Sequence, residues 1–326
     1  MKKLAIIAAA TAILLSACAP VPEAVPDEEV DFPTSGATIE LIVPFSAGGG
    51  TDISARAIAP LLAAELGADV QVINTPGAGS QLGITALSTA KADGYTIGFT
   101  TLPSALTTYL VENRGATYDR SSFVPLGSLT KSSNIIAVSA SSDFESMEDL
   151  IAAAEAAPGS VTVAVAGDDE RLGMRAVEDA TGATFNLVPF DGGAEKTTAL
   201  LGNQVQAIIG GATTVVPGVT NGDFRALAIF GAEEDPFLEG IPTLSSLGID
   251  IEINGFLVIS APAGTPDGVV ELLEAAIKKA TADPAFQELV SAGFQQPVFL
   301  PSAQVAEIWE TQEAAFIQLL ADEGTN

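Results

Sequence analysis

The chain has 326 residues, with 13 Lys and Arg against 41 Asp and Glu, no histidine and one cysteine, and its formal net charge is −28. So few basic residues exclude a nucleic-acid partner, because phosphate binding needs a Lys- and Arg-rich face. The lack of histidine excludes histidine-based catalytic triads and the usual zinc sites. The sequence also has no P-loop and no nucleophile elbow. We therefore expect no enzymatic activity, no cofactor and no metal site.

The first residues are typical of an export signal. Lys2 and Lys3 precede an apolar stretch of about a dozen residues, shorter than the ~20 that a membrane-spanning helix needs. The stretch ends in Leu-Ser-Ala-Cys at residues 15–18, which resembles a bacterial lipobox with cleavage before Cys18 and lipid attached to it. We predict a lipoprotein signal peptide over residues 1–17 and a membrane-anchored protein in the periplasm or on the cell surface. The alternative is an ordinary secretory peptide in which Cys18 is incidental.

The next segment, residues 18–37, combines the lipidated cysteine with a proline-rich, acidic composition. Such a composition cannot bury enough apolar surface to order itself, and we predict a flexible tether.

From residue 38 onward, short apolar and β-branched runs alternate with helical stretches, which is typical of βαβ units and parallel sheets. The predicted strands are 39–44, 70–74, 96–100, 135–139, 161–166, 186–189, 207–209, 226–229 and 256–260. The predicted helices are 51–66, 147–157, 171–181, 269–280 and 303–320. This length is enough for two α/β lobes.

A first glycine-rich segment, residues 44–52, reads Pro-Phe-Ser-Ala-Gly-Gly-Gly-Thr-Asp between a strand and a helix. Consecutive glycines leave backbone N–H groups unobstructed, and the helix start adds a partial positive charge. This geometry binds anions without a cationic side chain. Helix capping alone would also explain Thr51 or Asp52.

A second glycine-rich segment, residues 74–81, reads Asn-Thr-Pro-Gly-Ala-Gly-Ser-Gln. Gly77, Gly79 and Gly83 invite comparison with the dinucleotide fingerprint, but the last interval is one residue too long and the expected acidic residue is missing. We interpret the segment as a second amide cradle that faces the first, with a plain turn as the alternative.

Several runs in the chain together resemble the receptors of tripartite tricarboxylate transporters, also called Bug proteins. The runs are PFSAGGGTD (44–52), NTPGAGS (74–80), ADGYTI (92–97), YDRSSFVPLG (118–127), VPFDGG (188–193), LLGNQVQA (200–207), IPTLSSLG (241–248) and APAGTPDGVVELL (261–273). The resemblance implies an α/β fold of the type II periplasmic-binding-protein class, in which two lobes enclose a cleft. It also implies no catalysis, with a ligand carboxylate held by the two glycine-rich loops. Together with the tendency of such chains to cross between lobes more than once, it places the first lobe at 38–130 plus 256–326 and the second at 131–255.

The resemblance also assigns ligand contacts, residue by residue. From the first lobe these are Phe45, Gly49, Thr51, Asp52, Gly77, Ala78, Gly79, Ser80, Thr101 and Ser104; from the second they are Gly167, Asp168, Asp169, Phe190, Gly192, Gly193, Gly211 and Ala212. A core position is the alternative for Phe190.

One segment departs from the family pattern, which commonly has a glycine- and serine-rich turn where this chain reads Gly-Asp-Asp-Glu-Arg at 167–171. Acidic residues at a helix start are explained by capping and by the helix dipole. The alternative is that Asp168 or Asp169 receives a cationic group or repels a second carboxylate, which would suit an amino acid or another amphoteric ligand.

We therefore expect a monomeric solute-binding lipoprotein that captures a small organic acid, or an amphoteric metabolite, and delivers it to membrane transporter subunits. The alternative is a lipoprotein sensor that presents its closed form to a signalling receptor.

Overall fold

The computed structural model describes residues 32–111, 115–251 and 253–323, so the predicted signal peptide, Cys18 and most of the predicted tether lie outside the described residues. Within these ranges the chain forms ten strands and ten α-helices. The strands are β1 (Thr38–Val43), β2 (Asp69–Asn74), β3 (Thr96–Phe99), β4 (Phe123–Ser139), β5 (Thr162–Val165), β6 (Asn186–Pro189), β7 (Ala207–Gly211), β8 (Phe224–Phe230), β9 (Asn254–Pro262) and β10 (Gln296–Pro297).

The helices alternate with the strands along much of the chain. They are α1 (Gly50–Leu66), α2 (Gln81–Ser88), α3 (Ser104–Leu110), α4 (Met147–Ala156), α5 (Asp168–Thr181), α6 (Gly193–Leu201), α7 (Ala212–Asn221), α8 (Asp267–Thr281), α9 (Pro284–Ala292) and α10 (Ser302–Glu323). None of the helices in the described ranges is long and apolar enough to cross a membrane.

The strands form two sheet halves that share the long strand β4 in this two-lobed, mixed α/β fold. We call the part built on the first half the first lobe and the part built on the second half the second lobe. The first half has the order β2-β1-β3-β9-β4-β10, with β1 parallel to β2 and β3. The second half has the order β8-β4-β7-β5-β6, with β5 parallel to β6 and β7. Because neighbouring parallel strands end at the same sheet edge, the loops that follow them meet there.

Strand β4 begins twelve residues before the predicted strand 135–139, at Phe123. The added part contains Pro125, Gly127 and several serines, which are typical of turns. Its pairing with β9 shifts register between Pro125 and Gly127 and again between Ser128 and Thr130. Bulges of this kind admit proline and glycine into a strand, and the periodicity of the sequence does not reveal them.

Two differences concern helices. Helix α5 begins at Asp168, three residues before the predicted start at residue 171, so Asp168 and Asp169 belong to its first turn rather than to the preceding turn. Carboxylates in a first helical turn are stabilised by the helix dipole. Helices α2, α3, α6, α7 and α9 have 7–10 residues each and were not predicted individually, because such short segments show little periodicity.

The core has a part in each lobe and a part shared by both. In the first lobe, Leu41 and Ile58 are fully buried between β1 and α1; in the second, Ile208 and Val215 are buried between β7 and α7. A further cluster joins Ile136 of β4 to Trp309 of α10. Each fully buried aliphatic side chain contributes roughly 1.5–3 kcal/mol, so packing fixes the sheet edges that carry the loops.

Candidate functional site

The first glycine-rich loop follows β1 and leads directly into α1. Gly48 has φ +84°, a conformation that favours glycine, and Gly49 caps the helix with extended backbone. The first helical bond runs from Ile53 N–H to the Gly49 carbonyl (2.9 Å). The N–H groups before Ile53 in the first turn have no acceptor within the helix, so this loop presents backbone donors.

The side chain of Asp52 joins this loop to neighbouring parts of the protein. Its carboxylate is buried and accepts hydrogen bonds from the Gly48 N–H (2.8 Å), Arg56 Nε (3.0 Å) and Asn74 Nδ2 (2.9 Å). The hydrogen bond from Arg56, followed by that from Gly48, lowers the pKa of Asp52 to about 2. The structure thus directs the Asp52 carboxylate at protein donors, which tie the first loop to Asn74 at the end of β2.

The second glycine-rich loop lies beside the first, because β1 and β2 are paired neighbours. Asn74 Nδ2 donates to the Phe45 carbonyl (3.1 Å), and Thr75 N–H donates to the Val43 carbonyl (2.8 Å). A side chain at Gly83 would place its Cβ 2.6 Å from Pro44 Cα, so only glycine permits α2 to approach the first loop this closely.

The backbone of this second loop is left-handed over four consecutive residues: φ is +140° at Gly77, +49° at Ala78, +63° at Gly79 and +83° at Ser80. Such conformations are costly for residues other than glycine and accumulate at functional sites. Ser80 is 2% exposed, and its Oγ has no hydrogen-bond partner among the described residues.

A cavity of about 180 Å³, which we call the interlobe cavity, lies next to the first loop. It is smaller than the ~300–1,000 Å³ of typical drug-sized pockets, so it suits a small metabolite. It brings together four of the predicted ligand contacts, namely Thr51, Thr101 and Ser104 of the first lobe and Asp169 of the second. Its other lining residues are Leu102, Pro103, Thr130, Ser132, Asn134, Gly255, Phe256, Leu257 and Gln295.

The lining of the interlobe cavity is polar and contains neither Lys nor Arg among the described residues. Thr101 follows β3 and is held against β9 by the neighbouring bonds between Leu102 and Phe256 (both 2.9 Å). Its Oγ1 is buried, and the described part of the chain offers it no partner. Since buried polar groups nearly always have a partner, this hydroxyl is suited to a bound ligand or water.

Gln295 supplies a second oriented donor. Ser54, 1% exposed, donates to Gln295 Oε1 (3.0 Å), which fixes the amide so that Nε2 faces the start of α1. An added Cβ at Gly50 would lie 3.3 Å from Nε2. No local pattern indicates Gln295, because it follows α9 and lies 241 residues from its partner Ser54.

In the second lobe, Gly167 caps α5 with φ +96°, and the three acidic residues that follow have different roles. Asp168 pairs with Arg171 (Oδ1 to Nε, 3.5 Å). Asp169 is half-buried and lines the interlobe cavity, and burial raises its pKa. Glu170 is buried and accepts hydrogen bonds from Lys196 Nζ (2.6 and 2.5 Å) and from the Ala166 N–H (2.5 Å).

Lys196 is the buried cation of the second lobe. It is 1% exposed and also donates to the Ile209 carbonyl (2.6 Å), so it joins α5, α6 and β7. Desolvation is the largest influence on Glu170 and raises its pKa to about 7, against the opposing charge of Lys196. The ion pair therefore links these three elements.

The remaining predicted contacts do not line the interlobe cavity. Phe45 and Phe190 pack against the apolar clusters of their own lobes. Gly49, Gly192 and Gly211 cap helices, Gly193 and Ala212 begin helices, and residues 77–80 lie in the second loop beside the first. An added Cβ at Gly193 would lie 2.5 Å from Thr214 Oγ1, which gives this glycine a packing role.

The described residues contain no group of three or more His, Cys, Asp or Glu side chains arranged to hold a metal ion. The chemistry of the interlobe cavity is therefore that of hydroxyl, amide and backbone donors, with one carboxyl group.

The chain is similar to several known proteins over most of its length. Protein BugT of Bordetella pertussis is 30% identical over 264 residues, which are 80% of this chain and 81% of that protein. The structure of a TctC solute binding protein from Polaromonas, without ligand, has a TM-score of 0.79 at 28% identity and covers 89% of this chain and 99% of that one. The structure of an R. palustris protein with adipate has a TM-score of 0.76 at 26% identity and covers 90% and 99%.

Residues 54–321 match the profile of the family described as "Tripartite tricarboxylate transporter family receptor". This range includes the cavity residues from Thr101 to Gln295, and the matching structures have the same two-lobed α/β fold. The chain therefore belongs to the tripartite tricarboxylate transporter receptors, a family of periplasmic solute-binding proteins.

Proposed function

We propose that the protein captures a small carboxylate-bearing metabolite in the interlobe cavity and delivers it to a tripartite tricarboxylate-type membrane transporter. The observation that carries this proposal is Thr101 Oγ1, a buried hydroxyl without a partner among the described residues, on a residue that lines a cavity rich in hydroxyl and amide side chains. Leaving such a group unpaired costs about 1–3 kcal/mol, which an accepting ligand oxygen offsets. The relative with adipate supports a carboxylate as that ligand.

The carboxylate is held by donors of the first lobe. Thr101 Oγ1 and Gln295 Nε2 supply side-chain donors from two lining residues, and the first turn of α1, at Thr51, adds backbone N–H groups with their partial positive charge. Anion binding by such dipoles needs no basic side chain, which agrees with the absence of Lys and Arg from the described lining.

The lobes close around the ligand. They are proposed to span 38–130 plus 256–326 and 131–255, with β4 and β9 as the connections. A ligand shifts a protein toward its closed state only if it binds that state more tightly. Contacts from the first turn of α5 in the second lobe, at Asp169, supply that difference.

Replacing Thr101 with Val tests the binding role of the hydroxyl, because the shape of the side chain is kept. We expect adipate, or another carboxylate that binds the wild type, to bind about tenfold more weakly. The thermal midpoint should stay the same or rise, since the free protein loses an unpaired buried polar group. Calorimetric titration and thermal unfolding measure the two effects.

Thr108→Val is the matched control. Thr108 is 1% exposed, and its Oγ1 bonds with the Ala105 carbonyl (2.6 Å) and with Tyr118 Oη (2.7 Å). This variant should lose about 1–2 kcal/mol of stability and keep its affinity. If Thr101→Val binds the carboxylate as tightly as the wild type does, the Thr101 hydroxyl does not contact the ligand.

We also propose that lipid on Cys18 anchors the protein, as the sequence at residues 15–18 predicts. Expressed in a bacterium with lipoprotein processing, the wild type should incorporate radiolabelled palmitate and sediment with membranes. Cys18→Ala should incorporate none and appear in the soluble fraction. Label or membrane retention in the variant would contradict the anchor.

A further inference from the structure

Asp169 is the one acidic residue among the described residues that line the interlobe cavity. It lies in the first turn of α5, where the preceding turn is shaped around its carboxyl group. An added Cβ at Gly167 would lie 2.8 Å from Asp169 Oδ1, and Gly167 itself has φ +96°. Only glycine combines that conformation with that approach, so the carboxyl group of this cavity-lining residue lies close to the Gly167 backbone at the start of α5.

The nearby cations are engaged by other groups. Lys196 has three N–H donors, and its Nζ bonds with both Glu170 oxygens and with the Ile209 carbonyl. Arg171 pairs with Asp168. The charge of Lys196 does lower the pKa of Asp169, but desolvation raises it by more. The backbone N–H groups of Asp169 and Glu170 also favour its charged form, yet burial keeps the pKa raised, so the charged carboxyl group still lacks a full counterpart in the described lining, which contains no basic side chain.

This arrangement disfavours a simple dicarboxylate and favours a ligand that brings its own cation. A second ligand carboxylate near Asp169 would be repelled, whereas an ammonium group there forms a charge-assisted hydrogen bond and relieves the desolvated carboxylate. Thr101 and Gln295 remain available on the opposite lobe for the ligand carboxylate.

Building on the proposed function, we propose that Asp169 determines specificity by receiving the ammonium group of an amino-acid-type ligand whose carboxylate is bound by the first lobe.

The test compares amino acids with acids that lack only the amino group: aspartate with succinate, glutamate with glutarate, and alanine with propanoate. Calorimetric titration of the full mature chain should show that the best-binding amino acid exceeds its partner acid by about tenfold in affinity. Asp169→Asn, which keeps the shape and removes the charge, should reduce this ratio to about twofold or less by weakening the amino acid.

Asp179→Asn is the matched control, since it removes the same charge from an exposed position of the same helix, about 15 Å farther along. This variant should keep the wild-type ratio between the affinity for the amino acid and the affinity for its partner acid. An equal ratio in Asp169→Asn and the wild type, or a wild-type preference for the acids without amino groups, would overturn the inference and leave the proposed function standing. Failure of all six compounds, and of adipate, to bind the wild type would overturn the proposed function itself.

Discussion

Replacing Lys196 with Met is expected to lower the free energy of unfolding by about 3–5 kcal/mol at pH 8, because buried Glu170 loses its partner and must either stay charged without compensation or take up a proton at that pH. Lys196 is 1% exposed and the Glu170 side chain 10%, so solvent cannot replace the lost partner. Urea denaturation followed by circular dichroism measures the change. The ligand site should also loosen, since the pair braces the start of α5 through the Ala166 N–H.

The size of this loss should depend on pH. The pKa of Glu170 is about 7 in the folded protein, above the ordinary 4.5, so protonation of Glu170 stabilises the fold fully below pH 4.5 and this contribution is lost as pH rises through 7. Removing Lys196 takes away a charge that lowers this pKa, which raises it further. The Lys196→Met variant should therefore lose less stability at pH 5 than at pH 8.

Two variants control for this interpretation. Lys279→Met removes a lysine that is 68% exposed and pairs with Glu65 at 2.8 Å, and it should cost less than about 1 kcal/mol. The double variant Lys196→Met with Glu170→Gln should recover much of the lost stability, because the buried charge is gone. A double variant no more stable than Lys196→Met would show that an unpaired charge is not the cause.

The second large effect is expected for Asp52→Ala, which removes the acceptor of three hydrogen bonds at a 2% exposed position. We expect a loss of about 2–4 kcal/mol in the free energy of unfolding. Arg56 is 56% exposed and contributes little of this. Ligand affinity should fall as well, because Asp52 ties the first glycine-rich loop to Asn74 at the end of β2.

The pH dependence of Asp52 has the opposite sign to that of Glu170. Its pKa is lowered to about 2 from 3.8, so its contribution is present above pH 3.8 and is lost as pH falls through 2. Asp69→Ala, at an exposed position in β2, should change stability by less than about 0.5 kcal/mol. If Asp52→Ala keeps the stability and the ligand affinity of the wild type, the hydrogen bonds of Asp52 do not position the loops.

The sequence predicts the alternation of strands and helices, and it also predicts that the two glycine-rich loops face each other. Each loop follows a short β-branched run, and parallel neighbours such as β1 and β2 bring such loops together. Thr51 and Thr101 came instead from the resemblance to the receptor family, and as ligand contacts they stay predictions. For the two loops, local pattern and topology suffice.

Other parts of the site depend on contacts that are distant in the chain. Ser132 and Gly255 lie in β4 and β9 but read as turn residues, and Gly255 is needed because an added Cβ would lie 2.6 Å from Ser132 Oγ. Lys196 in the run Ala-Glu-Lys-Thr reads as a solvent-facing helical residue, yet it is buried against Glu170.

Asp52 illustrates a different limit. An acidic residue at a helix start fits a ligand contact, a helix cap and a loop tie equally well. The hydrogen bonds that Gly48, Arg56 and Asn74 donate to its carboxylate favour the role of a loop tie.

A crystal structure of the protein with adipate, or with the tightest ligand found by titration, would show where the ligand carboxylate is bound. We expect one ligand carboxylate in the interlobe cavity, with an oxygen about 2.6–3.2 Å from Thr101 Oγ1 and the lobes closed over it. A ligand bound in another cavity, or one in this cavity with Thr101 Oγ1 still unpaired, would contradict this expectation.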